Sequence, residues 1–259
     1  MRVISFVNLK GGVAKTTTVI NTAAILAKIH GKKVLVVDAD SQCNLTEFFS
    51  TIKPGITLAH ALRAAPDAGE TAGMAIHSTT FDGIKIIPAD DSLMGLDLTS
   101  AAELYTGCLD DLKGRLRLDG SLYDFMLIDC PPAFNAASTA ALLASDEVVI
   151  PIKLDAFSLR GMANLTRQIQ NMRQINPRLR LSGLLPTMYY RSDKIREAAQ
   201  ILRKSGLPVF PHIRRTPKVD DMTFAGKPLI ETSPTCAAAK DYRHFVEELL
   251  KGGEQNGRI

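Results

Sequence analysis

The sequence predicts an α/β fold, a doubly wound, mainly parallel β-sheet with helices on both faces. Three observations predict it. Short β-branched runs alternate with helical patterns along most of the 259 residues. Several of these runs are apolar on both faces, as buried parallel strands must be. A glycine pair, Gly11-Gly12, stands between the first run and the first helical pattern, where the carboxyl ends of strands in such sheets receive ligands.

The elements follow in order. "RVISFVN" (2–8) reads as the first strand. Residues 15–30 read as a helix, with Val19, Ala23, Ile25, Leu26 and Ile29 as its apolar stripe. "KVLVVDAD" (33–40) is a second buried strand. Residues 51–83 are less regular, and "AAPDAGETAG" (64–73) reads as a surface loop or mobile insert. "IKIIPA" (84–89) is a strand, and "LDDLKGRLRLDG" (109–120) a helix running into a turn. Then strands "DFMLIDC" (124–130), "EVVIPI" (147–152), "LSGLLPTMY" (181–189) and "PVFPHI" (208–213) alternate with helices at 134–145, 159–175, 193–206 and 236–251. No linker divides the chain. Residues 1–251 therefore read as one domain and 252–259 as a flexible tail.

Composition bounds the function. The chain is 46% hydrophobic and 22% charged, with net charge +4 from 31 Lys and Arg against 27 Asp and Glu. That balance permits nucleic-acid contact without requiring it. Cys43, Cys108, Cys130 and Cys236 form no C-x-x-C pair, which argues against a zinc or iron–sulfur cluster and for a reducing compartment. His30, His60, His77, His212 and His244 show no metal spacing, and no Ser-His-Asp arrangement can be read. With no signal peptide and no apolar run of about 18 residues, a soluble cytoplasmic protein is expected.

The chemistry concentrates in "NLKGGVAKTT". It has the context of a phosphate-binding loop, after a strand and opening a helix. Backbone N–H groups of Gly11, Gly12, Val13, Ala14, Lys15, Thr16 and Thr17 would converge on phosphate oxygens, with Lys15 on the β- and γ-phosphates and the Thr16 hydroxyl on Mg²⁺. Against the usual G-x-x-x-x-G-K-[ST], Leu9 replaces the first glycine, Ala14 the last, and Lys10 is an added cation. Two strand ends supply acids: Asp38 and Asp40 after "VLVV", and Asp129 after "FMLI". Asp129, with Asp38 as the second candidate, fits the Mg²⁺ side, and Asp40 can orient the attacking water. Strand-end Asp residues are also common caps; it is the three together with the loop that point to a nucleotide site.

"KGGVAKTT", "VLVVDADSQCNLT" and "MLIDCPP" resemble the deviant phosphate loop and acidic motifs of the ParA/MinD group of P-loop ATPases. The resemblance runs through "VVIPIKLDAFSLRGMANL", "GLLPTMYYRSD" and "AGKPLIETSPTCAAAKDYRHFVEEL", and is strongest to the small Soj-type ParA proteins, which begin at the phosphate loop. The resemblance implies a P-loop NTPase that uses ATP and Mg²⁺. It also implies that Lys10 reaches the nucleotide of a second subunit in an ATP-bound homodimer, offsetting the charge of two facing triphosphates. Met188, in "PTMYY", and Ile213, in "PHIRR", become candidates for the base pocket. Asp155, in "KLDAF", is either a contact to the opposite subunit or a strand-end cap. Ala14 and Ser41 depart from the commoner Gly and Pro of the group, and neither change removes a chemical group.

Beyond residue 159 the positive charges gather in "RQIQNMRQINPRLRL", "YYRSDKIREAAQILRKSG" and "HIRRTPKV". Sequence-independent DNA binding needs several Lys and Arg on one face; the same residues also suit the solvated face of amphipathic helices. In Soj-type relatives arginines of this half bind double-stranded DNA without sequence preference, and the matching positions here are Arg191, Lys194, Arg203, Lys204, Arg214, Arg215 and Lys218. The resemblance thus implies an ATPase that segregates plasmid or chromosomal DNA over the nucleoid, stimulated by a ParB-like partner. A related ATPase that positions a protein cargo is the nearest alternative. A MinD-like membrane regulator is disfavoured, because "FVEELLKGGEQNGRI" is not a basic amphipathic end, and a reductase or metal-insertion ATPase of this fold would need paired cysteines.

Overall fold

The computed structural model describes residues 1–50, 55–64, 67–96, 106–118 and 123–254. Seven strands form one sheet in the order β3-β4-β2-β5-β1-β6-β7. They are β1 (Arg2–Phe6), β2 (Val34–Asp38), β3 (His77–Ser78), β4 (Ile84–Ile87), β5 (Phe125–Asp129), β6 (Glu147–Lys153) and β7 (Arg180–Thr187). Every neighbouring pair is parallel except β3 with β4, which is antiparallel. The doubly wound, mainly parallel sheet expected from the sequence is therefore present.

Side-chain alternation along the strands divides the core in two. On β1 and β2, Val3, Leu35 and Val37 face one layer, with α3 (Leu58–Arg63), α4 (Ala68–Met74), α6 (Cys108–Leu118) and α7 (Ala136–Ala144) supplying its apolar residues. Ile4, Phe6, Val34 and Val36 face the other, against α1 (Lys15–Lys28) and α12 (Ala237–Glu254). Neighbouring positions on one strand thus belong to different cores, which is why these runs carry no polar alternation.

Register places the site. Asp38 is the Cα partner of Asp129 across β2 and β5, and Phe6, the last residue of β1, is the other partner of Asp129. Three central strands therefore end at one level, and the loop after β1 leaves beside both carboxylates.

Several local expectations change. The stretch 64–73, expected as a loop, is helical from Ala68 on; residues 65–66 lie outside the described residues. Ala68–Met74 is helical, with Ala68, Gly69 and Ala72 buried. A Cβ on Gly69 would come within 2.8 Å of Asp111 Cβ, so the small residues that resemble loop composition serve close approach to α6. Residues 208–213, expected as a strand, make one isolated bridge, Val209 with Leu184, and the next residue, Arg214, bridges Tyr189. Pro208 and Pro211 remove ladder donors there. The C-terminal helix runs on to Glu254; residues 255–259 of the expected tail, and the turn expected after α6, lie outside the described residues. Among the described residues no helix is long and apolar enough to cross a membrane.

Candidate nucleotide site

The loop between β1 and α1 is held to the ends of the neighbouring strands by hydrogen bonds. Asn8 Nδ2 donates to Pro151 O at 2.7 Å, and Lys10 N donates to Asn8 Oδ1 at 2.9 Å. Thr187 Oγ1 at the end of β7 donates to Val13 O at 3.0 Å. Gly12 has φ 66° and Ala14 has φ 65°, so the chain turns twice through left-handed geometry before α1 begins at Lys15. The first N–H groups of α1 have no acceptor within the helix and point out of its positive end, the geometry that receives phosphate. Alanine at position 14 adopts the conformation that glycine adopts freely.

The charged residues beneath the loop are packed densely. Thr16 Oγ1 donates to Asp129 Oδ2 at 2.5 Å. Asp129 is buried, and its other oxygen, Oδ1, has no hydrogen-bond partner. Burial and the adjacent Asp38 carboxylate push its pKa well up; the Thr16 hydroxyl and Lys15 oppose that. Asp38 is fully buried, and burial raises it to about 6 despite bonds from Thr46 N, Thr46 Oγ1 and Asp40 N. Lys15 is buried, which lowers its pKa against the pull of Asp129 and Asp40. Two carboxylates side by side, one with an oxygen left unpaired, and a threonine hydroxyl alongside make an all-oxygen donor set. A divalent metal with hard oxygen preference fits this donor set.

Above these groups lies a cavity of about 630 Å³ lined by the loop residues Gly11 to Thr17, by Asp40, and by Gln42, Asn44, Glu47 and Phe48. A second cavity of about 470 Å³ adjoins it, sharing Ala14, Thr17 and Met188, and includes Ile213, Pro217 and Tyr242. Both candidate base-pocket residues therefore line one cavity next to the phosphate loop. The only non-glycine residues with left-handed φ among those described are Ala14, Met188 and Cys43. Ala14 and Met188 line the cavities, and Cys43 precedes the lining residue Asn44. Such conformations cost about 1 kcal/mol each and collect at functional sites.

Lys10 does not point into solvent. Its Nζ donates to Asp155 Oδ2 at 2.5 Å and to Ser158 Oγ at 3.3 Å, and lies 5.9 Å from the ring of Phe157, which is 73% exposed. Asp155 also accepts from Ser158 N at 2.9 Å as the N-cap of α8 (Ala156–Met172). The cap reading of Asp155 thus holds, and its second partner is the loop lysine. Its pKa is near 2, because Lys10 and the cap bonds outweigh burial.

The seven candidate DNA cations are all exposed. On α9 (Asp193–Lys204), Lys194 and Arg203 are nine positions apart, about 180° around the helix, on opposite flanks of buried Ile195, Ala198 and Leu202. Arg214 is held by Asp241 and, with Arg215, lines the second cavity. Lys218 pairs with Asp221 at 2.8 Å. Arg191 and Lys204 are exposed. The sequence reading missed the tie from Thr187 to the loop, the Lys10–Asp155 pair and the roles of Asp241 and Tyr242. The Thr187, Lys10 and Tyr242 contacts join residues more than a hundred positions apart, and Asp241 pairs with a residue on another element 27 positions away.

A family model described as "AAA domain" matches residues 1–181. The chromosome-partitioning ATPase Soj of Thermus thermophilus is 35% identical over 254 residues, covering 96% of each chain. The chain belongs to the ParA/Soj family of P-loop ATPases. The chromosome partitioning protein ParA of Caulobacter vibrioides is 32% identical over 259 residues, covering 96% of this chain and 94% of the other. Among solved structures, a cobyrinic acid a,c-diamide synthase from Mycobacterium smegmatis with bound ADP and magnesium superposes with TM-score 0.79 at 30% identity, over 99% of this chain and 96% of the other. Members of the ParA/Soj family and their structural neighbours thus match the chain along its whole length.

Proposed function

We propose that this ParA/Soj-family chain is a Mg²⁺-dependent ATPase that pairs on ATP, binds DNA without sequence preference and moves plasmid or chromosomal DNA under stimulation by a ParB-like partner. The observation that carries the catalytic half is the unpaired, buried Oδ1 of Asp129, beside a Thr16 hydroxyl and under a phosphate loop. Lys15 and the N–H groups of α1 bind the phosphates. Thr16 and Asp129 would hold Mg²⁺, with Asp38 behind them, and the ion would neutralise β- and γ-phosphate charge. Asp40, on the rim and hydrogen-bonded to Gln42 N at 3.0 Å, orients the attacking water. Met188 and Ile213 flank the base.

Lys10 gives the pairing step its switch. In the single chain it is neutralised by Asp155. A facing triphosphate carries more charge than one carboxylate, so a second nucleotide-loaded copy competes for the ammonium group. The DNA half rests on the exposed cations Lys194, Arg203 and Lys204 of α9, with Arg191 and Arg215.

The test is DNA binding with ATP, ADP and no nucleotide at two salt concentrations. Binding that is strongest with ATP and falls steeply with salt is expected; equal binding in all three states would remove the switch. Positioning of a protein cargo would use the same cycle and would be revealed by which partner raises the hydrolysis rate.

A further inference from the structure

We propose that Arg214 and Asp241 form a clamp that positions the base-side wall of the nucleotide cavity, and that Arg214 works there instead of as a ligand for DNA phosphate. The inference rests on the nucleotide reading above and deepens it.

The wall is the segment Ile213 to Pro217, which lines the cavity of about 470 Å³ next to the phosphate loop. On one side it is tied to the end of β7: Ile213 N donates to Pro186 O at 2.8 Å, Tyr189 N to Ile213 O at 2.9 Å, and Arg215 N to Tyr189 O at 2.9 Å. On the other side it is tied to α12 through one residue. Arg214 N and Nε donate to Asp241 Oδ2 at 2.9 and 2.8 Å, and Arg214 Nη2 donates to Asp241 Oδ1 at 2.7 Å. Nη2 also reaches Ala237 O at 3.4 Å. Both carboxylate oxygens and the backbone are engaged, so the fork fixes the direction of the main chain as well as the side chain.

The next residue of α12 reaches the other half of the site. Tyr242 lines the same cavity, is buried, and its hydroxyl lies 3.3 Å from Thr18 Oγ1 in the first turn of α1. Two adjacent residues of α12 therefore connect the helix that carries the phosphate loop with the wall that faces the base. A guanidinium whose fork is committed to a carboxylate has little net charge left for a phosphate diester.

The geometry separates the two roles of Arg214 by chemistry. Phosphate attraction needs only a cation, which lysine supplies. The clamp needs the planar fork, which lysine lacks. The experiment measures Mg-ADP, inorganic pyrophosphate and a DNA duplex (with ATP) binding to wild type, Arg214→Lys and Asp241→Asn. Pyrophosphate occupies the phosphate cradle alone and reports that the site is folded. Both variants are expected to weaken Mg-ADP about tenfold while pyrophosphate affinity stays within about twofold. Mg-ADP affinity at the wild-type level in both variants overturns the clamp, as does equal loss of Mg-ADP and pyrophosphate. So does an Arg214→Ala variant that loses DNA affinity while Arg214→Lys keeps both DNA and Mg-ADP. Absence of Mg-ADP binding by the wild-type protein would sink the nucleotide reading itself, and the clamp with it.

Discussion

At the end of the sheet where the strands begin, Glu147 is buried between two arginines. Arg2 Nε and Nη2 donate to it at 2.6 and 2.7 Å, Arg180 Nη2 at 2.7 Å, and the Ser182 hydroxyl completes the set. At the end where the strands finish, Asp38 and Asp129 are buried side by side with one lysine between several acids and an oxygen unpaired. Burial acts to raise the pKa at both ends. At Glu147 the arginines and Ser182 reverse it, to about 2; at Asp38 nothing does, and it stands at about 6. One backbone layer thus carries a satisfied charge that stabilises the fold and, about a strand's length away, a buried carboxyl pair with one oxygen unpaired. Unsatisfied groups of this kind mark function because the fold alone gains nothing by keeping them.

The strongest way to break this contrast is Asp129→Asn. A neutral isostere removes a buried carboxylate from beside Asp38, so the ligand-free protein is expected to melt about 3 °C higher or more. Mg²⁺-dependent ATP hydrolysis should fall about a hundredfold or more, because the metal-side oxygen is lost. Melting and steady-state hydrolysis on the same preparation check both. Lower stability in this variant would mean that the carboxylate is structural after all.

Glu147→Gln is the mirror experiment. A folded pKa near 2 against 4.5 corresponds to about 3 kcal/mol of stability. The sign follows from the depression: the contribution is complete above about pH 4.5 and is lost as pH falls through 2. Urea unfolding at pH 7 should show a loss of about 3 kcal/mol for the variant, shrinking toward acid, with hydrolysis per folded molecule unchanged. A fall in turnover as large as that of Asp129→Asn would erase the distinction between the two ends.

These two ends were unequally legible in the sequence. The functional end was readable because its parts are contiguous: "GGVAKTT" and the strand ends "VVDAD" and "LIDC" announce backbone geometry and charge locally. The parallel sheet was readable for the same reason, through runs apolar on both faces. Arg2, Glu147 and Arg180 were invisible, since nothing in their neighbourhoods indicates that they meet. The loop at 64–73 was misread because alanine and glycine in a tight helix–helix contact have the composition of a turn. The partner of Arg214 could not be read either: Asp241 is 27 residues further on, and only the fold shows that the two pair.

Lys10 sharpens the comparison at the rim. Its pair with Asp155 is part exposed, 36% and 28% on the two side chains, so breaking it costs the single chain only about 0.2–1 kcal/mol. Lys10→Ala should therefore leave stability and Mg-ADP binding nearly intact and weaken ATP-dependent self-association about tenfold or more. Asp155→Ala, which frees the lysine, should favour self-association. Analytical ultracentrifugation with ATP and ADP distinguishes the two. Undiminished pairing in Lys10→Ala would show that the lysine stays with its own chain.

The smallest expected effect lies inside the phosphate loop, and it tests whether strain belongs to the functional end. Ala14 at φ 65° and Gly12 at φ 66° share a positive φ two residues apart. An L-residue in that region is strained by about 1–2 kcal/mol, while glycine loses about 0.5–1 kcal/mol more backbone entropy on folding. Ala14→Gly is therefore expected to stabilise the ligand-free protein by up to about 1 kcal/mol. Gly12→Ala should destabilise it by a similar amount, although a Cβ there meets nothing within 4 Å, so the cost is conformational and not steric. Urea midpoints of the two variants should move in opposite directions around the wild type. If both moved the same way, the left-handed geometry would not be what distinguishes position 14, and its methyl group would have to act through the cavities it lines.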